Sequence, residues 1–518
     1  MWTRKSAVLA GAALLAATVQ SPQAAAAHDR GLPLGPGDLT ESRSVQTLQP
    51  GVTLTTIVRG APDAANTWTV EVAIPGGSGS PDPDTPPTAV SDRAHADELA
   101  AALTEAGFGP RVEEVTTPRL ADFPGGTLGY RVRVGNHPTK EAADAALAAI
   151  RAAEFTASTV FTGWDGDSAD RGPWEVRVLT IDPRRFAGDL VGDFGPDLER
   201  RETTSALGAA RGATAAVNAG FFVLDPAAGA PGDPAGVGVY ADRLLSEATN
   251  GRPAFVFSAD GRHADVARHT WTGTVRSGHE VLTLDGINRV PGLIRNCGGT
   301  GDQPTNHPLH DTTCTDEDEL ILFTSDYGAS TPTGPGVEVL VDNKNHVTAV
   351  REPRGGPLPA GIRSIQATGA KAGELRELGA KLTITSRLNG RGGDYVLNGG
   401  PELVRDGRQH ATPATDGMVR QNDPSFYYGW VQKRNPRTIA GVDGRGRILL
   451  ATIDGRSTTS LGLSIAESAA VAQALGMRDA INLDGGGSTT MVTNNQVINK
   501  PSDATGERPV GDAILILP

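Results

Sequence analysis

The stretch AINLDGGGSTTMV, residues 480–492, contains three consecutive glycines between an apolar segment and a cluster of hydroxyl groups. Consecutive glycines lose more conformational entropy on folding than other residues and add no side-chain packing. They therefore indicate a place where another group approaches the backbone closely. The pattern predicts an apolar strand that ends at Asn482 and a tight glycine turn with Asp484 at its lip.

Two other segments repeat this design. AAVNAGFF places Asn218 before Gly220, and DYVLNGGPELVRDG places Asn398 before Gly399 and Gly400. If the three strand ends meet at one rim, their exposed N–H groups form a concave nest that binds anions. The alternative is three separate tight turns in which asparagine and glycine supply positive φ angles.

Positive side chains near two further strand ends would complete an anion site. Arg434 and Arg437 precede an apolar strand in KRNPRTIAGVD, and Asp454 and Arg456 follow one in LLATIDGRSTTS. Arginine suits phosphate because its planar fork donates two parallel hydrogen bonds. A lone arginine at a strand end is usually a solvated rim residue. Together with the glycine turn, however, these segments predict a bound group that is anionic and tetrahedral.

The composition limits the number of domains, the class of partner and the type of secondary structure that we expect. The chain has 518 residues, which is enough for two or three domains with cores of their own. A net charge of −13, without a basic run, argues against nucleic acid as a partner. The 65 glycines and 36 prolines favour many short strands and turns over long helices.

Residues 1–27 have the pattern of a cleaved signal peptide. Arg4 and Lys5 precede the apolar run 7–19, and Ala25 and Ala27 are the small residues typical of a signal-peptide cleavage site. An uncleaved anchor is the alternative, but the apolar run is too short to cross a bilayer comfortably. We therefore expect a secreted protein without a stable membrane span.

If the protein is exported, its compartment affects the oxidation state of its only two cysteines, Cys297 and Cys314. In an oxidising compartment we expect them to form a disulfide, with two free thiols as the alternative. His307, His310 and Asp311 lie between them. We interpret these three as polar loop residues rather than as metal ligands.

Residues 66–163 alternate between strand-like and helical patterns, whereas the rest of the chain is richer in strands and turns. A strand-like segment at 68–74 is followed by a helical pattern at 92–108, and a second strand, turn and helix follow in YRVRVGNHPTKEAADAALAAIRAAEF, with Thr139 as the helix cap. This duplication predicts β-α-β-β-α-β order. The segment resembles the SPOR domain, which implies affinity for peptidoglycan glycan strands. A spacer with the same fold and no ligand is the alternative.

The remainder of the chain is rich in strands and turns. The tripeptide DGR at Asp260, Asp406 and Asp443 predicts hairpin turns. In SIAESAAVAQALG, Ser464 and Glu467 predict a capping box and Gly476 a helix end. These patterns indicate an α+β protein with a large mixed or antiparallel sheet.

Five motifs, in order, resemble the phosphodiester glycosidase family: VNAGFF, NGGPELVRDG, RNPRTIAGVD, IDGRS with the helix that follows it, and AINLDGGGSTTMV. The resemblance covers residues 165–518 and extends to an opening strand at 45–60. We therefore expect a linker and first strand at 28–65, a SPOR-like domain inserted at 66–163, and the glycosidase domain at 164–518.

The resemblance implies cleavage of the bond between a sugar's anomeric carbon and a phosphodiester. Because a phosphate monoester leaves easily, charge stabilisation matters more than a general acid. The expected catalytic residues are Asp484 first and Asp454 second, with Arg437 and Asn218, whereas the capping box accounts for Glu467. The expected substrate- and phosphate-binding residues are Arg456, Asn398, Gly399, Asn482, Gly485, Gly486, Gly487, Ser488 and Thr489. No cofactor is required; the acidic run that begins at Thr315 could hold calcium, although a solvated loop fits it better.

The sequence thus predicts a secreted, cell-wall-associated hydrolase. It would bind peptidoglycan through the SPOR-like domain and cleave sugar-1-phosphodiester bonds in wall or surface glycopolymers, with α-N-acetylglucosaminyl bonds as the expected kind. Two alternatives stay open: a non-catalytic protein that binds anionic wall glycan, and a glycosidase or phosphodiesterase of different bond specificity.

Overall fold

The computed structural model describes residues 31–75, 88–249, 251–299, 301–305 and 307–518. The predicted signal peptide, residues 1–27, lies outside these ranges. Within them, no helix combines the length and the apolar character that a bilayer crossing needs.

Strands dominate the secondary structure. The first eighteen strands are β1 Glu41–Gln49, β2 Val52–Arg59, β3 Trp68–Val72, β4 Pro110–Thr117, β5 Gly126–His137, β6 Ala157–Phe161, β7 Trp174–Ile181, β8 Leu190–Asp193, β9 Glu202–Thr203, β10 Ala215–Asn218, β11 Gly238–Tyr240, β12 Arg243–Ser246, β13 Pro253–Phe257, β14 Ala264–Arg268, β15 Thr270–Ser277, β16 Glu280–Leu284, β17 Gly286–Ile287 and β18 Ile294–Arg295. The next eighteen are β19 Thr313–Cys314, β20 Leu320–Phe323, β21 Ser330–Gly334, β22 Val337–Val341, β23 Val347–Arg351, β24 Arg354–Pro357, β25 Arg363–Ala367, β26 Thr383–Asn389, β27 Tyr395–Asn398, β28 Glu402–Arg405, β29 Arg408–Gln409, β30 Arg437–Asp443, β31 Ile448–Ile453, β32 Met477–Asn482, β33 Met491–Thr493, β34 Gln496–Val497, β35 Pro509–Val510 and β36 Ala513–Ile516.

The helices are α1 Arg93–Glu105, α2 Lys140–Ala152, α3 Thr204–Arg211, α4 Lys371–Arg376, α5 Pro424–Tyr427 and α6 Ile465–Ala474. A π-helical turn at Tyr428–Gln432 continues α5. Short 3₁₀ turns occur at Thr162–Trp164, Pro226–Ala228 and Gly486–Ser488. These elements confirm the mixed α+β class.

The sheet that carries most of the candidate site has eight strands in the order β1-β2-β7-β31-β30-β32-β28-β29. Each neighbouring pair is antiparallel. Strand β31 is buried along its whole length, and its side chains alternate between two cores. Ile448 and Leu450 pack into the core shared with β8, β10, β33 and β36, whereas Leu449 and Ala451 pack into the core shared with α6.

The segment 45–60, predicted as one opening strand, contains the end of β1 and all of β2, and both strands belong to this sheet. Strand β2 pairs with β7 from Val52 opposite Ile181 to Arg59 opposite Trp174. The chain between these neighbouring strands forms a four-stranded antiparallel sheet, in the order β4-β5-β3-β6, with α1 and α2. Its elements follow one another as strand, helix, strand, strand, helix and strand. The boundaries of the inserted domain, at residues 66 and 163, stay a prediction.

Local capping and turn signals are confirmed. Asp406 and Gly407 both have positive φ (49° and 73°) in the turn between β28 and β29, as a type I′ turn requires. The Ser464 hydroxyl accepts a hydrogen bond from the Glu467 N–H, and the Glu467 carboxylate accepts one from the Ser464 N–H. Gly476 follows α6 with a φ of 88°.

Candidate active site

The three predicted strand ends lie together. The Asn218 side chain at the end of β10 donates to the carbonyl oxygen of Asp484 (2.8 Å). Its Oδ1 accepts from the Thr438 hydroxyl (2.8 Å) and from the Thr490 N–H (3.0 Å). Asn218 has no exposed surface. It therefore supports the glycine turn from behind, and the catalytic role expected for it stays a prediction.

The other two asparagines also link backbone segments. Asn398 accepts from the Phe221 N–H (2.9 Å) and donates to the Phe221 carbonyl (3.2 Å). Asn482 donates to the Gly400 carbonyl (2.9 Å). Gly399 lies where a methyl group would come within 2.8 Å of the Asn482 carbonyl oxygen. These side chains are buried, so they hold the strand ends together.

Each glycine of the turn faces a different neighbour. A methyl group on Gly485 would lie 2.8 Å from the Pro436 carbonyl oxygen. Gly486 has a φ of 57°, and its methyl group would lie 3.3 Å from the Arg456 guanidinium. At Gly487 it would lie 2.2 Å from an Arg508 guanidinium nitrogen. Close approach of backbone and arginine therefore accounts for the triple glycine.

The turn is not an open nest of N–H groups. The Gly485 N–H donates to the Asp484 carboxylate (2.9 Å), and the Gly486 N–H donates to the Pro436 carbonyl (3.0 Å). Both donors are thus used within the protein. The expectation that these two N–H groups bind phosphate is wrong for this conformation.

Polar side-chain atoms beside the turn offer a different set of contacts. The hydroxyls of Ser488, Thr489 and Thr490 and the Oδ1 of Asn482 are buried, and none has a hydrogen-bond partner within the described part of the chain. Buried polar groups are normally hydrogen-bonded, and exceptions concentrate where a ligand or water completes the shell. The unpartnered hydroxyls of Ser488 and Thr489 are compatible with the binding role expected for them, which stays a prediction.

Asp484 lines a small pocket of about 40 Å³. Its lining also contains residues that the sequence patterns did not assign to the site: Phe221, Arg295, Asn296, His310, Asp311, Trp430 and Arg508. Two acids, two arginines and one histidine thus share one cavity with aromatic walls. Because acids and bases meet there, this pocket is the candidate active site.

Four of these residues lie in or directly before the loop that the disulfide closes: His310 and Asp311 are within it, and Arg295 and Asn296 precede Cys297. Cys297 and Cys314 are bonded, which confirms the predicted disulfide, and β18 pairs with β19 beside it. Asn296 accepts from the Asp311 N–H (2.7 Å), and Arg295 forms an ion pair with Asp311. The motif HPLHD was visible in the sequence, and the bridge, the Asp311 contacts and a hydrogen bond from the His310 N–H to the Gly417 carbonyl (3.0 Å) hold its last two residues at the pocket.

His310 is the most unusual of the pocket residues. Its ring lies edge-on between Phe221 and Trp430, with centroid distances of 4.7 Å and 4.8 Å. Both ring nitrogens are buried and have no hydrogen-bond partner in the described ranges. Burial, reinforced by Arg252, Arg295, Arg420 and Arg437, holds the pKa of His310 well below its usual value. The imidazole is therefore neutral at neutral pH, with one nitrogen able to donate and the other to accept.

The three arginines singled out in the sequence, Arg434, Arg437 and Arg456, differ in their hydrogen-bond partners. Arg437 donates to the carbonyls of Leu463 and Trp430 (2.9 Å each), and burial with nearby Arg456 lowers its pKa to about 9. Arg456 is half-buried with a φ of 52°, and it donates to the Asn435 side chain (3.2 Å). Arg434 lies in a bidentate pair with Glu467, so it belongs to the scaffold.

Two of the acids near the motifs have structural partners. Asp454 accepts from Arg177 (2.8 Å) and from the Asn499 side chain and the Lys500 N–H (3.1 Å each). Glu467 caps α6 and binds Arg434, in agreement with the predicted capping box. Asp454 therefore anchors the strand end, and its expected role as the second catalytic acid stays a prediction.

The acidic run that begins at Thr315 also has internal partners. Glu319 binds Arg289 (2.8 Å), and Asp318 accepts from the Ala370 N–H (2.5 Å). In the described part of the chain, the side chains close enough to share a metal ion are Cys297, Asp302 and Cys314. The two cysteines of that group are already bonded to each other.

Comparison with known proteins identifies both parts of the chain. The family model for phosphodiester glycosidases matches residues 335–517, and the model for the SPOR domain matches residues 88–161. A solved structure of a proposed exported protein from Burkholderia pseudomallei K96243 is 34% identical, covers 95% of this chain and 99% of that chain, and has a TM-score of 0.84. The chain thus carries a domain of the phosphodiester glycosidase family and a SPOR domain. Both predicted resemblances are confirmed.

Two further comparisons show how far the similarity extends. The mouse N-acetylglucosamine-1-phosphodiester α-N-acetylglucosaminidase is 39% identical over 110 residues, which make up 21% of this chain and 21% of that protein. The chain thus matches about a fifth of the length of its curated relatives. A solved protein from Synechocystis is 18% identical, covers 92% of this chain and 75% of that chain, and has a TM-score of 0.52. That last likeness concerns the fold alone.

Proposed function

We propose that the protein is a secreted glycosidase that hydrolyses the bond between a sugar's anomeric carbon and a phosphodiester. The observation that carries this proposal is that Asp484 and a neutral His310 line one arginine-containing pocket in a phosphodiester glycosidase family member. An α-N-acetylglucosaminyl group is the sugar we favour, because the mouse relative acts on it.

Electrostatics suit a phosphate leaving group. Arg295 and Arg508 line the pocket, and Arg456 lies beside Gly486 at the turn. Four arginines act on His310 strongly enough to help lower its pKa. Fixed positive charge in a buried site stabilises the negative charge that develops on a departing phosphate. The leaving group therefore needs little help from a general acid.

Asp484 is the residue we assign to the sugar carbon. Its carboxylate is half-buried at the pocket, and its carbonyl is held by Asn218 from behind. In this position it either activates water or attacks the anomeric carbon, since both routes use a carboxylate near that atom. Neutral His310 would hydrogen-bond the phosphate or a sugar hydroxyl, and Asn218 would position Asp484.

The match to the SPOR domain supports peptidoglycan as the binding partner. With the signal-peptide pattern of residues 1–27, this favours a location outside the membrane and at the cell wall. Phosphodiester-linked sugars occur in wall and surface glycopolymers, so the substrate and the anchor would share one compartment.

The test is turnover of a panel of sugar-1-phosphodiesters, with product stereochemistry followed by NMR. Asp484→Asn should lower kcat by about 10³-fold, because it removes the reacting carboxylate. Arg456→Ala should lower kcat/KM by roughly 100-fold, through lost charge stabilisation. Asp242→Asn, at an exposed position with a φ of 61° that asparagine tolerates, is the matched control.

Two results would contradict the proposal. Turnover within twofold of wild type in Asp484→Asn would remove that residue from the chemistry. Tight binding of the phosphodiesters by wild type without any turnover would favour the alternative, a protein that only recognises anionic glycan.

A further inference from the structure

The sheet of the SPOR domain has a second face that its helices leave uncovered. Along β3 and β5, Val70, Val72, Val132 and Val134 pack in the core beneath α1 and α2. The alternate side chains point to the opposite side of the sheet. We call that side the charged face; it comprises Thr69, Glu71, Glu113, Thr117, Arg131 and Arg133.

The charged face is buried by the glycosidase domain itself. Tyr428, in the π-helical turn after α5, accepts from Arg131 (2.9 Å) and Arg133 (3.3 Å). Lys433 donates to Glu71 (3.2 Å). Arg133, Glu71 and Tyr428 are 1%, 2% and 1% exposed, which leaves no room for a glycan strand on this face.

The ionic contacts at this face are mutually satisfied. Arg133 binds the Asp165 carboxylate through both of its terminal nitrogens (2.7 and 2.6 Å) and also binds Glu71 (2.7 Å). Burial alone would raise the pKa of Glu71, but Lys433 and the arginines overcome this and lower it to about 2. A buried network of this kind holds one geometry, because removing a single charge leaves its partners unpaired.

Further contacts extend the interface along α5. The Tyr427 ring stacks on Phe123 with a centroid distance of 4.3 Å, and its hydroxyl lies 3.0 Å from the Thr117 hydroxyl. The Ser425 hydroxyl accepts from the Val90 N–H (2.9 Å) and donates to the Val90 carbonyl (2.8 Å). The segment 425–433 is therefore fixed at several points by the SPOR domain.

The same segment forms a wall of the active-site pocket. The Trp430 ring packs on His310 and lines the cavity. The carbonyls of Trp430 and Lys433 accept from Arg437 (2.9 and 3.4 Å). The Gly429 carbonyl accepts from Asn435, whose Oδ1 in turn accepts from Arg456. A shift of the segment 428–433 would therefore move the Trp430 wall of the pocket and also the side chains of Arg437 and Arg456.

From these contacts we infer that the SPOR domain is a positioning element for the active site. Its Glu71, Arg131 and Arg133 hold the segment 428–433, and through it Trp430, Arg437 and Arg456, in place for catalysis. The inference rests on the proposed function for its kinetic readout. Any contact between this domain and peptidoglycan would then use a surface other than the charged face.

The test compares Glu71→Gln with Glu105→Gln, the same change at an exposed position at the end of α1. Glu71→Gln should lower kcat by roughly 10- to 100-fold with little change in KM, because it loosens groups that act in the transition state. Hydrogen exchange at 428–437 should become faster. The double variant Glu71→Gln with Lys433→Gln, which restores the charge balance, should recover most of the lost kcat.

Other outcomes would overturn the inference. It fails if Glu71→Gln matches the Glu105→Gln control in both kcat and exchange at 428–437. It also fails if soluble peptidoglycan fragments slow exchange at 131–133 while exchange at 428–433 speeds up, because glycan would then compete for this face. If wild type turns over no sugar phosphodiester, the proposed function falls, and the exchange data still decide the positioning role.

Discussion

The three glycines after Asp484 are required by three different neighbours. Gly485 lies against a backbone carbonyl, Gly486 against Arg456, and Gly487 against Arg508. A side-chain neighbour can move aside, whereas the carbonyl of Pro436 is fixed at the start of a buried strand. Among the three, Gly485 is therefore the position at which an added methyl group has the least room to relax.

Gly485→Ala should lower the free energy of unfolding by about 1–3 kcal/mol, the usual cost of overpacking a buried site. It should also reduce turnover, since the shift displaces Asp484. Urea unfolding and kinetics measure the two effects. Gly444→Ala, where a methyl group would meet no atom within 4 Å, is the control and should unfold like wild type. Equal unfolding midpoints for both variants would show that the turn relaxes freely.

At the scale of elements, the disulfide loop assembles much of the pocket. The bridge closes a separation of 17 residues and aligns the short strands β18 and β19. Arg295, Asn296, His310 and Asp311 are each close in sequence to a bridged cysteine. The covalent link and the short pairing of β18 with β19 together define the two ends of the loop.

The double variant Cys297→Ser with Cys314→Ser should lose roughly 3 kcal/mol of unfolding free energy in the chain-entropy view, given the loop length. Its turnover should fall as well, because His310 and Arg295 lose their fixed positions. Thermal unfolding measures the loss of stability, and steady-state kinetics measure the loss of turnover. Reducing agent should affect wild type in the same direction and leave the double variant unchanged. Full activity in the double variant would show that packing alone holds the loop.

At the scale of the whole molecule, buried charge links distant sheets. Asp512, just before β36, accepts from the Gly220 N–H (2.7 Å) and from the Tyr240 hydroxyl (2.6 Å). Burial raises the pKa of Asp512 to about 6, from an ordinary value of 3.8. Because the folded state favours the protonated form, this group contributes stability below about pH 4, and the contribution is lost as the pH rises to about 6 and above.

Asp512→Asn removes the charge. Its amide oxygen can still accept from the Gly220 N–H, and its NH2 group would donate to the Tyr240 oxygen, which reverses the direction of that bond. Relative to this variant, wild type should lose up to about 3 kcal/mol of unfolding free energy between pH 4 and pH 7, the equivalent of about two pKa units. Urea unfolding of both proteins across that range measures the difference. Parallel pH profiles would show that Asp512 titrates normally in the folded protein.

Several features could be predicted from the sequence because they depend on short-range rules. The capping box of α6, the turn at Asp406, the disulfide and the family motifs each lie within a few residues or in a fixed order. The strand ends at Asn218, Asn398 and Asn482 were also visible, since an apolar run that stops at asparagine and glycine is typical of a strand entering a tight turn. These local signals were enough to predict the fold class and the family, and to put Asp484 at the lip of the glycine turn.

The tertiary structure decided what the remaining residues do. Asp454 is an acid beside a family motif, and its ion pair with Arg177, 277 residues away, could not be read from the sequence. His310, Arg295 and Arg508 enter the site from loops whose paths no local pattern specifies. The charged face of the SPOR domain has the composition of a solvent-exposed surface and is instead buried against Tyr428 and Lys433. The physical reason is the same in each case: propensity and capping act between neighbours in the chain, whereas charge pairing and burial depend on which distant segments the folded chain brings together.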